Sequence, residues 1–240
     1  QGYLLFITYE KVPEAHDVFK RFTKVFEQTY TRFLDLQKAE AQAREAQIEA
    51  ALERVRSRSM AMHHTSELQE IIETVHNEFN TLNIDITGGV FIAINSEIQK
   101  EINCWGAGGT TNYVERVYIP FLNSKIYTGL INGIKKGPGF FTEKFSNSLK
   151  KKFFKHLFKH PPYLNTSKKH KDEVINREGG YARSCVTSEN TSIFMINHHG
   201  REFTKEDNQI LKRFGHVFEQ SYTRFLDLQK AEAQAREAQI

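Results

Sequence analysis

Two histidines, His156 and His160, lie four residues apart, a spacing that places both imidazoles on one face of a helix. Such a pair could supply two nitrogen ligands to zinc, but a complete site needs at least one more ligand. The predicted helix around the pair contains no Asp, Glu or Cys, and Lys155 and Lys159 would repel a cation. We therefore predict no metal site here.

A candidate binding site for a small molecule combines one arginine with several aromatic side chains. An arginine that points inward from a strand needs an anion to satisfy its guanidinium, whereas an outward-pointing arginine would remove this argument. We expect the site between the predicted sheet and the helices of residues 124–160, where aromatic walls and one charge suit a small anionic or aromatic molecule. Ordinary core packing is the alternative. The candidate lining residues are Phe91, Trp105, Tyr118, Tyr127, Phe140 and Arg183.

A run of basic residues interrupts an otherwise mildly acidic chain. The whole chain carries a formal net charge of +4, and residues 144–171 contain nine lysines and no Asp or Glu. We call residues 144–171 the lysine island. Its lysines either face water from a helix that covers the sheet, or attract an anionic ligand or partner domain. A third interpretation, contact with a membrane or nucleic acid, lacks support because there is no second basic patch.

Catalytic motifs are missing from the sequence. It contains no glycine-rich phosphate loop, nucleophile elbow or kinase signature, so we predict that this chain is not itself an enzyme. We expect the two cysteines, Cys104 and Cys185, to be buried thiols in a reducing compartment. No apolar run reaches the length of about 18 residues that a membrane span needs. We expect a cytoplasmic protein without membrane or nucleic-acid partners.

Two segments of the sequence are nearly identical. Residues 22–48 and 214–240 agree at 24 of 27 positions, at an offset of 192 residues. The agreement includes charged positions of a predicted solvated helix, which packing alone does not constrain. Duplication of a whole unit accounts for it. We therefore expect one period of a tandem array, preceded by the end of another copy.

Residues 14–63 contain neither glycine nor proline and are rich in helix formers, which predicts one long helix. Apolar residues recur every seven positions, with Arg44 and Arg58 among the weak positions, so we predict a marginal parallel coiled coil. A lone solvated helix is the alternative. The predicted dimer seam comprises Leu34, Ala41, Ile48, Leu52, Val55 and Met62.

The remaining segments predict one domain, residues 64–203, between two such linkers. Residues 1–13 contain a predicted buried strand, Gly2–Glu10, of a preceding copy, and residues 204–240 begin the next linker. Within the domain we predict helices at 67–82, 124–136 and 146–160, strands at 90–95, 98–105, 114–122, 140–145, 181–188 and 192–198, and a partly irregular stretch at 163–180. This order favours an α+β fold, an antiparallel sheet with helices on its faces, flanked by long N- and C-terminal helices.

This order of elements, together with the linker KAEAQAREAQIEAALERVRSRSMAMHHTSEL, resembles the GAF domains of bacterial multidomain sensor histidine kinases. The resemblance covers nearly the whole chain and implies a GAF-like sheet. It also implies a role in sensing or relay, in which the domain binds a small molecule or passes strain along paired helices. The sequence lacks the Asn-Lys…Phe…Asp-Glu signature of the cyclic-nucleotide-binding branch and the Pro-x-Ser-Asp-Ile-Pro stretch of the bilin-binding branch. No ligand or cofactor therefore carries over.

The resulting hypothesis is a sensory and relay module of a two-component system. It would form a homodimer through the linker helices and control a histidine kinase domain in the same protein. Two alternatives remain open: a dimerisation and spacer unit without a ligand, and a module that docks an anion or a partner through the lysine island. A filled core would favour the spacer, and a cavity would favour the sensor.

Overall fold

The computed structural model describes residues 3–98, 101–108 and 116–237. The chain divides into two compact units, Gln1–Glu49 and Ala50–Ile240. One helix of 45 residues, α1 (His16–Met60), contributes to both units. A 3-10 turn at Pro13–Ala15 leads directly into it, so the long helix predicted at residues 14–63 is confirmed.

The predicted strand Gly2–Glu10, which was assigned to the sheet of a preceding copy, does not form within this chain. Residues 3–10 form neither helix nor strand, and their side chains are exposed, while Gly2 lies outside the described residues. A strand needs a neighbouring strand to satisfy its backbone N–H and C=O groups. The described part of the unit Gln1–Glu49 contains no other strand that could pair with this segment.

Six strands form one antiparallel sheet in the unit Ala50–Ile240. They are β1 (Gly89–Ile94), β2 (Ile102–Ala107), β3 (Val117–Ile119), β4 (Gly139–Phe145), β5 (Tyr181–Thr187) and β6 (Thr191–Asn197). Their order in the sheet is β3-β2-β1-β6-β5-β4. Two strands are shorter than predicted. A 3-10 turn at Asn95–Glu97 delays the start of β2, and β3 occupies only the middle of residues 114–122, of which 114 and 115 lie outside the described residues.

Helices cover both faces of the sheet, which confirms the predicted α+β class. They are α2 (Leu68–Thr81), α3 (Lys125–Lys135), α4 (Asn147–Leu157), α5 (Lys168–Asn176) and α6 (Lys205–Glu237). Helix α2 packs on β1 and β2, and α6 packs on β5 and β6. Helices α3, α4 and α5 contribute to the apolar core on the opposite face.

Helix α5 lies within residues 163–180, which the sequence predicts as partly irregular. Ser167 caps it, because its Oγ accepts a hydrogen bond from the backbone N–H of His170 at 3.3 Å. Val174 is the one side chain of α5 that is fully buried. An apolar face this narrow gives almost no periodicity, so the pattern that reveals the other helices is absent here.

Alternation along the strands decides which residues meet α3 and α4. Phe91, Arg183 and Phe194 point toward these two helices. Val186 of β5 and Ile193 of β6 point the other way, toward Gly215 of α6. The core that could hold a ligand is therefore built from every second residue of β1, β5 and β6.

Candidate functional site

Arg183 of β5 points into the core between the sheet and the helices α3 and α4, with only 2% of its surface exposed. A cavity of about 30 Å³ lies beside it. The lining residues are Gly88, Phe91, Ile102, Ile119, Ile126, Tyr127, Leu130, Phe153, Phe154, Leu157, Tyr163, Tyr181, Arg183, Phe194 and Ile196. A cavity of this size has room for water, whereas pockets for organic ligands typically measure about 300–1,000 Å³.

Three of the six candidate residues line this cavity, namely Phe91, Tyr127 and Arg183. The other three lie on the opposite face of the sheet. Trp105 pairs with Ile92 of β1, Tyr118 pairs with Asn103 of β2, and Phe140 pairs with Val186 of β5. Each is one residue out of phase with the cavity, because successive side chains of a strand point to opposite faces.

Several lining residues were missed by the sequence prediction. Tyr181 precedes Arg183 by two positions on the same strand and therefore shares its face. Phe153 and Phe154 form part of the apolar face of α4. Strict use of the strand alternation around Arg183 would have found Tyr181.

The anion that Arg183 requires belongs to the chain itself. The guanidinium forms an ion pair with Glu143 of β4, in which Nε donates to Oε2 at 3.1 Å and a terminal nitrogen donates to the same oxygen. It also donates to the carbonyl oxygen of Ile126 at 3.0 Å. Gly129 of α3 leaves room for Glu143, since a Cβ there would lie 2.0 Å from Oε1. The buried charge is therefore neutralised without a ligand.

A second buried polar cluster lies where β6 ends. His198 is 2% exposed, and its ring meets Phe154 edge-on with centroids 4.9 Å apart. Its Nε2 is buried and has no hydrogen-bond partner among the described residues. Burial lowers the pKa of His198 to about 3, and the charges of Lys150 and Arg177 act in the same direction. The neutral imidazole is thus the form that the fold accepts.

One member of the lysine island is fully buried, which corrects the expectation that its lysines face water. The Nζ of Lys150 donates to the carbonyl oxygens of Arg177 at 2.8 Å and His198 at 3.2 Å. Burial lowers the pKa of Lys150, and the charges of Arg177 and Lys151 lower it further. This lysine joins α4 to the segment after α5 and to the end of β6, so it has a structural role.

Other lysines of the island line an open groove on α4. The groove has a volume of about 760 Å³, and its described lining contains four lysines and no Asp or Glu. The lining residues are Leu122, Asn147, Ser148, Lys151, Lys152, Lys155, His156 and Lys159. Unbalanced positive charge of this kind attracts anions.

The two cysteines are buried, as predicted. Both lie in the core between the sheet and α3 and α4. Burial raises the pKa of each thiol to about 12. Thiols in this state are poor nucleophiles, because the reactive species is the thiolate.

The residues of the predicted dimer seam differ in their burial. Leu34 and Ala41 are exposed, and Ile48 is buried. Leu52, Val55 and Met62 are at most 3% exposed within the unit Ala50–Ile240. In this unit the seam residues therefore belong to the core of the domain, so they are not free to pair with a second chain.

The end of α1 is attached to α2 and α6. Arg54 forms an ion pair with Glu78 of α2, with Nε 2.6 Å from Oε1, and Arg58 pairs with Glu70. The hydroxyl of Ser59 meets that of Ser221 on α6 at 2.7 Å, and both residues are buried. The entering and leaving helices of the domain are thus in direct contact.

Comparison with known protein families finds no matching family model, and comparison with curated proteins finds no match. No helix within the described residues is both long enough and apolar enough to cross a membrane. In the same residues, no group of three His, Cys, Asp or Glu side chains is arranged to hold a metal ion.

Proposed function

We propose that this chain is a relay module of a multidomain cytoplasmic signalling protein, a GAF-type domain that passes conformational change from its entering helix to its leaving helix. The antiparallel sheet of six strands with helices on both faces supports the GAF assignment. In this proposal the chain has no catalytic activity of its own and controls a histidine kinase domain in the same protein.

The contact between Ser59 of α1 and Ser221 of α6 carries the proposal. Two small hydroxyl side chains allow the helices to approach closely, and their 2.7 Å hydrogen bond is buried. Arg224 donates to the sulfur of Met60 at 3.4 Å, and Gln229 of α6 donates to the carbonyl oxygen of His63 at 3.3 Å. A shift of α1 at this point acts on α6 directly, which is what a relay between two arrangements of packed helices requires.

Exposed leucines on both long helices support a homodimer. The face of α6 that packs on the domain ends at Phe225, and the next residue, Leu226, is 38% exposed. Its counterpart in the repeat, Leu34, is 45% exposed. Leu226 stays exposed although the sheet beside α6 is present, so a partner helix is the better candidate to cover it.

The small size of the cavity favours a module without an organic ligand, which fits a relay and equally the dimerisation and spacer unit. Its volume of about 30 Å³ is roughly a tenth of the smallest typical ligand pocket. Arg183, the charge expected to recognise an anion, is already paired with Glu143. A sensor of an organic molecule would require both the core and this ion pair to rearrange.

Disulfide cross-linking tests the parallel dimer. A Leu226→Cys variant places one thiol on the proposed seam, and the natural cysteines are buried. We expect mild oxidation to give a covalent dimer. Ala231→Cys, which is also exposed but points about 140° away around the helix, is the matched control and should cross-link far less. Equal cross-linking of both variants, or a monomer in sedimentation, would exclude this seam.

The groove on α4 supports a second candidate function, the docking of an anionic ligand or partner domain. This open groove has a volume of about 760 Å³ and is lined by Lys151, Lys152, Lys155 and Lys159. The local positive potential would strengthen such binding at low ionic strength.

A further inference from the structure

Five apolar side chains on α1 are exposed although their equivalents on α6 are buried. Phe26 is 47% exposed and Tyr30 is 49% exposed, whereas Phe218 and Tyr222, at the same places in the repeat, are 1% and 4% exposed. Nearly identical helices thus differ in their surroundings. We call the exposed set the aromatic stripe, and its members are Phe22, Val25, Phe26, Tyr30 and Phe33.

The face of α6 that matches the aromatic stripe is covered by β5 and β6. Gly215 lies so close to Val186 and Ile193 that a Cβ would be 2.9 Å and 3.1 Å from their methyl carbons. The backbone of α6 therefore approaches the sheet closely.

A carboxylate on α6 also holds the hairpin turn between β5 and β6. Glu219 accepts hydrogen bonds through Oε1 from the backbone N–H of Asn190 at 3.0 Å, and through Oε2 from that of Thr191 at 3.1 Å. The Asn190 amide and the Thr191 hydroxyl donate to the same two oxygens at 2.8 Å and 2.6 Å. One side chain thus satisfies two backbone donors of the turn.

Glu27 is the counterpart of Glu219 in the repeat. It is exposed, and no hydrogen bond to its side chain occurs among the described residues. Its neighbours on the helix, Phe26 and Tyr30, correspond to Phe218 and Tyr222. The helix therefore carries both parts of a surface that docks on a sheet, the apolar face and the carboxylate that receives a hairpin turn.

We propose that the aromatic stripe and Glu27 dock on the sheet of a second domain with this fold. Glu27 accepts hydrogen bonds from the backbone N–H groups of that domain's last hairpin turn. The docked sheet precedes the helix along the chain, as β5 and β6 precede α6. This inference concerns the packing of α1 and does not depend on the proposed relay.

One of the three differences between the repeats bears on the shape of that sheet. Thr23 replaces Gly215, which packs against β5 and β6, whereas Thr29 replaces Ser221, which faces Ser59 of α1. A side chain at the Gly215 position meets Val186 and Ile193. The sheet that receives Thr23 therefore has less bulk at the two matching positions. The same threonine disfavours α1 as a substitute for α6 on the sheet of this chain.

Three substitutions convert residues 214–240 into the sequence of residues 22–48 and test whether that sequence closes a sheet. The variant Gly215→Thr/His216→Lys/Ser221→Thr should fold with a lower unfolding midpoint in urea, and Val186→Ala should restore part of the loss. Val186→Ala alone should lower the midpoint, so the four chains form a double-mutant cycle. If the triple variant remains unfolded even with Val186→Ala, the sequence of residues 22–48 cannot close a sheet and the proposed docking is wrong. If the triple variant is as stable as the natural chain, the docked sheet does not need smaller side chains at the positions of Val186 and Ile193.

A tandem protein tests the docking directly. Residues 50–213 carrying Val186→Ala are joined to residues 22–240, so that the aromatic stripe follows an added sheet. We expect Phe26→Asp to abolish one of the two unfolding transitions of the tandem protein and to leave the midpoint of the 240-residue chain unchanged. Phe218→Asp, the matched control, should unfold the second copy in the tandem protein and the domain in the single chain. If Phe26→Asp has no effect in the tandem protein, the proposal is wrong.

Discussion

At the scale of single residues, the candidate site is governed by how buried charges are satisfied. Arg183 is paired with Glu143 and with the carbonyl oxygen of Ile126. Lys150 is buried against two carbonyl oxygens instead of a carboxylate. A buried ion pair contributes little net stability, but the loss of one partner leaves an uncompensated charge. Arg183, Glu143 and Lys150 therefore contribute more to the specific arrangement of α3, α4 and β4 than to the free energy of unfolding of the domain.

Glu143→Gln should destabilise the domain by about 3 kcal/mol, because it leaves the guanidinium of Arg183 buried without a counter-charge. The measurement is the free energy of unfolding in urea. Glu97→Gln is the matched control. Glu97 pairs with Arg116 at the surface, where removal of an ion pair costs at most about 1 kcal/mol. Equal losses in the two variants would show that the buried pair is not critical.

Protonation of His198 should destabilise the fold at acidic pH. Its pKa is about 3 in the folded state, against an ordinary value of 6.5. Between these values the unfolded state binds more protons, so this residue causes stability to fall as the pH drops from about 6.5 toward 3. Its contribution to the slope should approach about 1.4 kcal/mol per pH unit.

The variant His198→Phe tests this pH dependence, because it keeps a ring against Phe154 and removes the titrating group. The free energy of unfolding of this variant should fall less steeply with acid than that of the natural chain. His216→Gln, an exposed histidine of α6, should leave the slope unchanged. A slope that is the same in all three chains would contradict the assignment to His198.

At the scale of elements, the central feature is the contact between α1 and α6. Helix α1 ends against α2 through two ion pairs and against α6 through Ser59. The pair of Arg58 and Glu70 is partly exposed and contributes little. Arg54 holds the buried carboxylate of Glu78 through two parallel hydrogen bonds. Between α1 and α6, the serine contact is the point at which a bulkier side chain would separate the two helices.

Ser59→Val should loosen α6 near Ser221. It removes a buried hydrogen bond and adds bulk at a buried contact between the helices. We expect faster amide hydrogen exchange at residues 221–229, with α3 unaffected. The matched control is Ser57→Val, because Ser57 lies two residues earlier and is exposed. Unchanged exchange in α6 would argue against the relay through this contact.

At the scale of the whole molecule, positive charge is concentrated in the lysine island, which extends from the end of β4 through α4 to the start of α5. The lysine island carries nine of the lysines in a chain whose net charge is only +4. Lys150 is buried within it, and four others line the open groove of α4. Interaction with an anion at such an exposed surface depends strongly on ionic strength.

Lys151→Glu/Lys155→Glu should weaken the binding of inorganic polyphosphate by at least about tenfold, a change of about 1.4 kcal/mol. Fluorescence anisotropy with labelled polyphosphate at low salt measures the affinity. Lys168→Glu/Lys169→Glu, which changes the charge equally but lies outside the groove, should have a smaller effect. Equal weakening in both variants would show that polyphosphate binding depends on the overall charge of the domain and not on the groove.

The helices and strands of the domain were largely predictable from the sequence, and the exceptions have physical causes. Strong periodicity at residues 67–82 and continuous helix formers at 14–63 predicted α2 and α1. Helix α5 has too narrow an apolar face to give such a signal. Residues 3–10 have the composition of a strand, but composition does not supply the neighbouring strand that a sheet requires.

The site was predictable only in part. Arg183 was found because a charge within an apolar strand stands out, yet Trp105 and Phe140 were placed on the wrong face of the sheet. A shift of one residue in a strand reverses the direction of the side chain. The partner of Arg183 lies 40 residues away, at Glu143, and no local pattern links the two.

The sequence by itself determined the fold class, the long helices and the repeat, because these follow from local periodicity and from comparison of the chain with itself. The tertiary structure alone decided which residues become partners. In the structure, Leu52, Val55 and Met62 are buried in the domain, whereas the aromatic stripe is exposed. The sequence pattern predicts both sets as apolar positions of the same long helix. The reason is that burial depends on what lies beside a face, and residues distant in the sequence supply that neighbour.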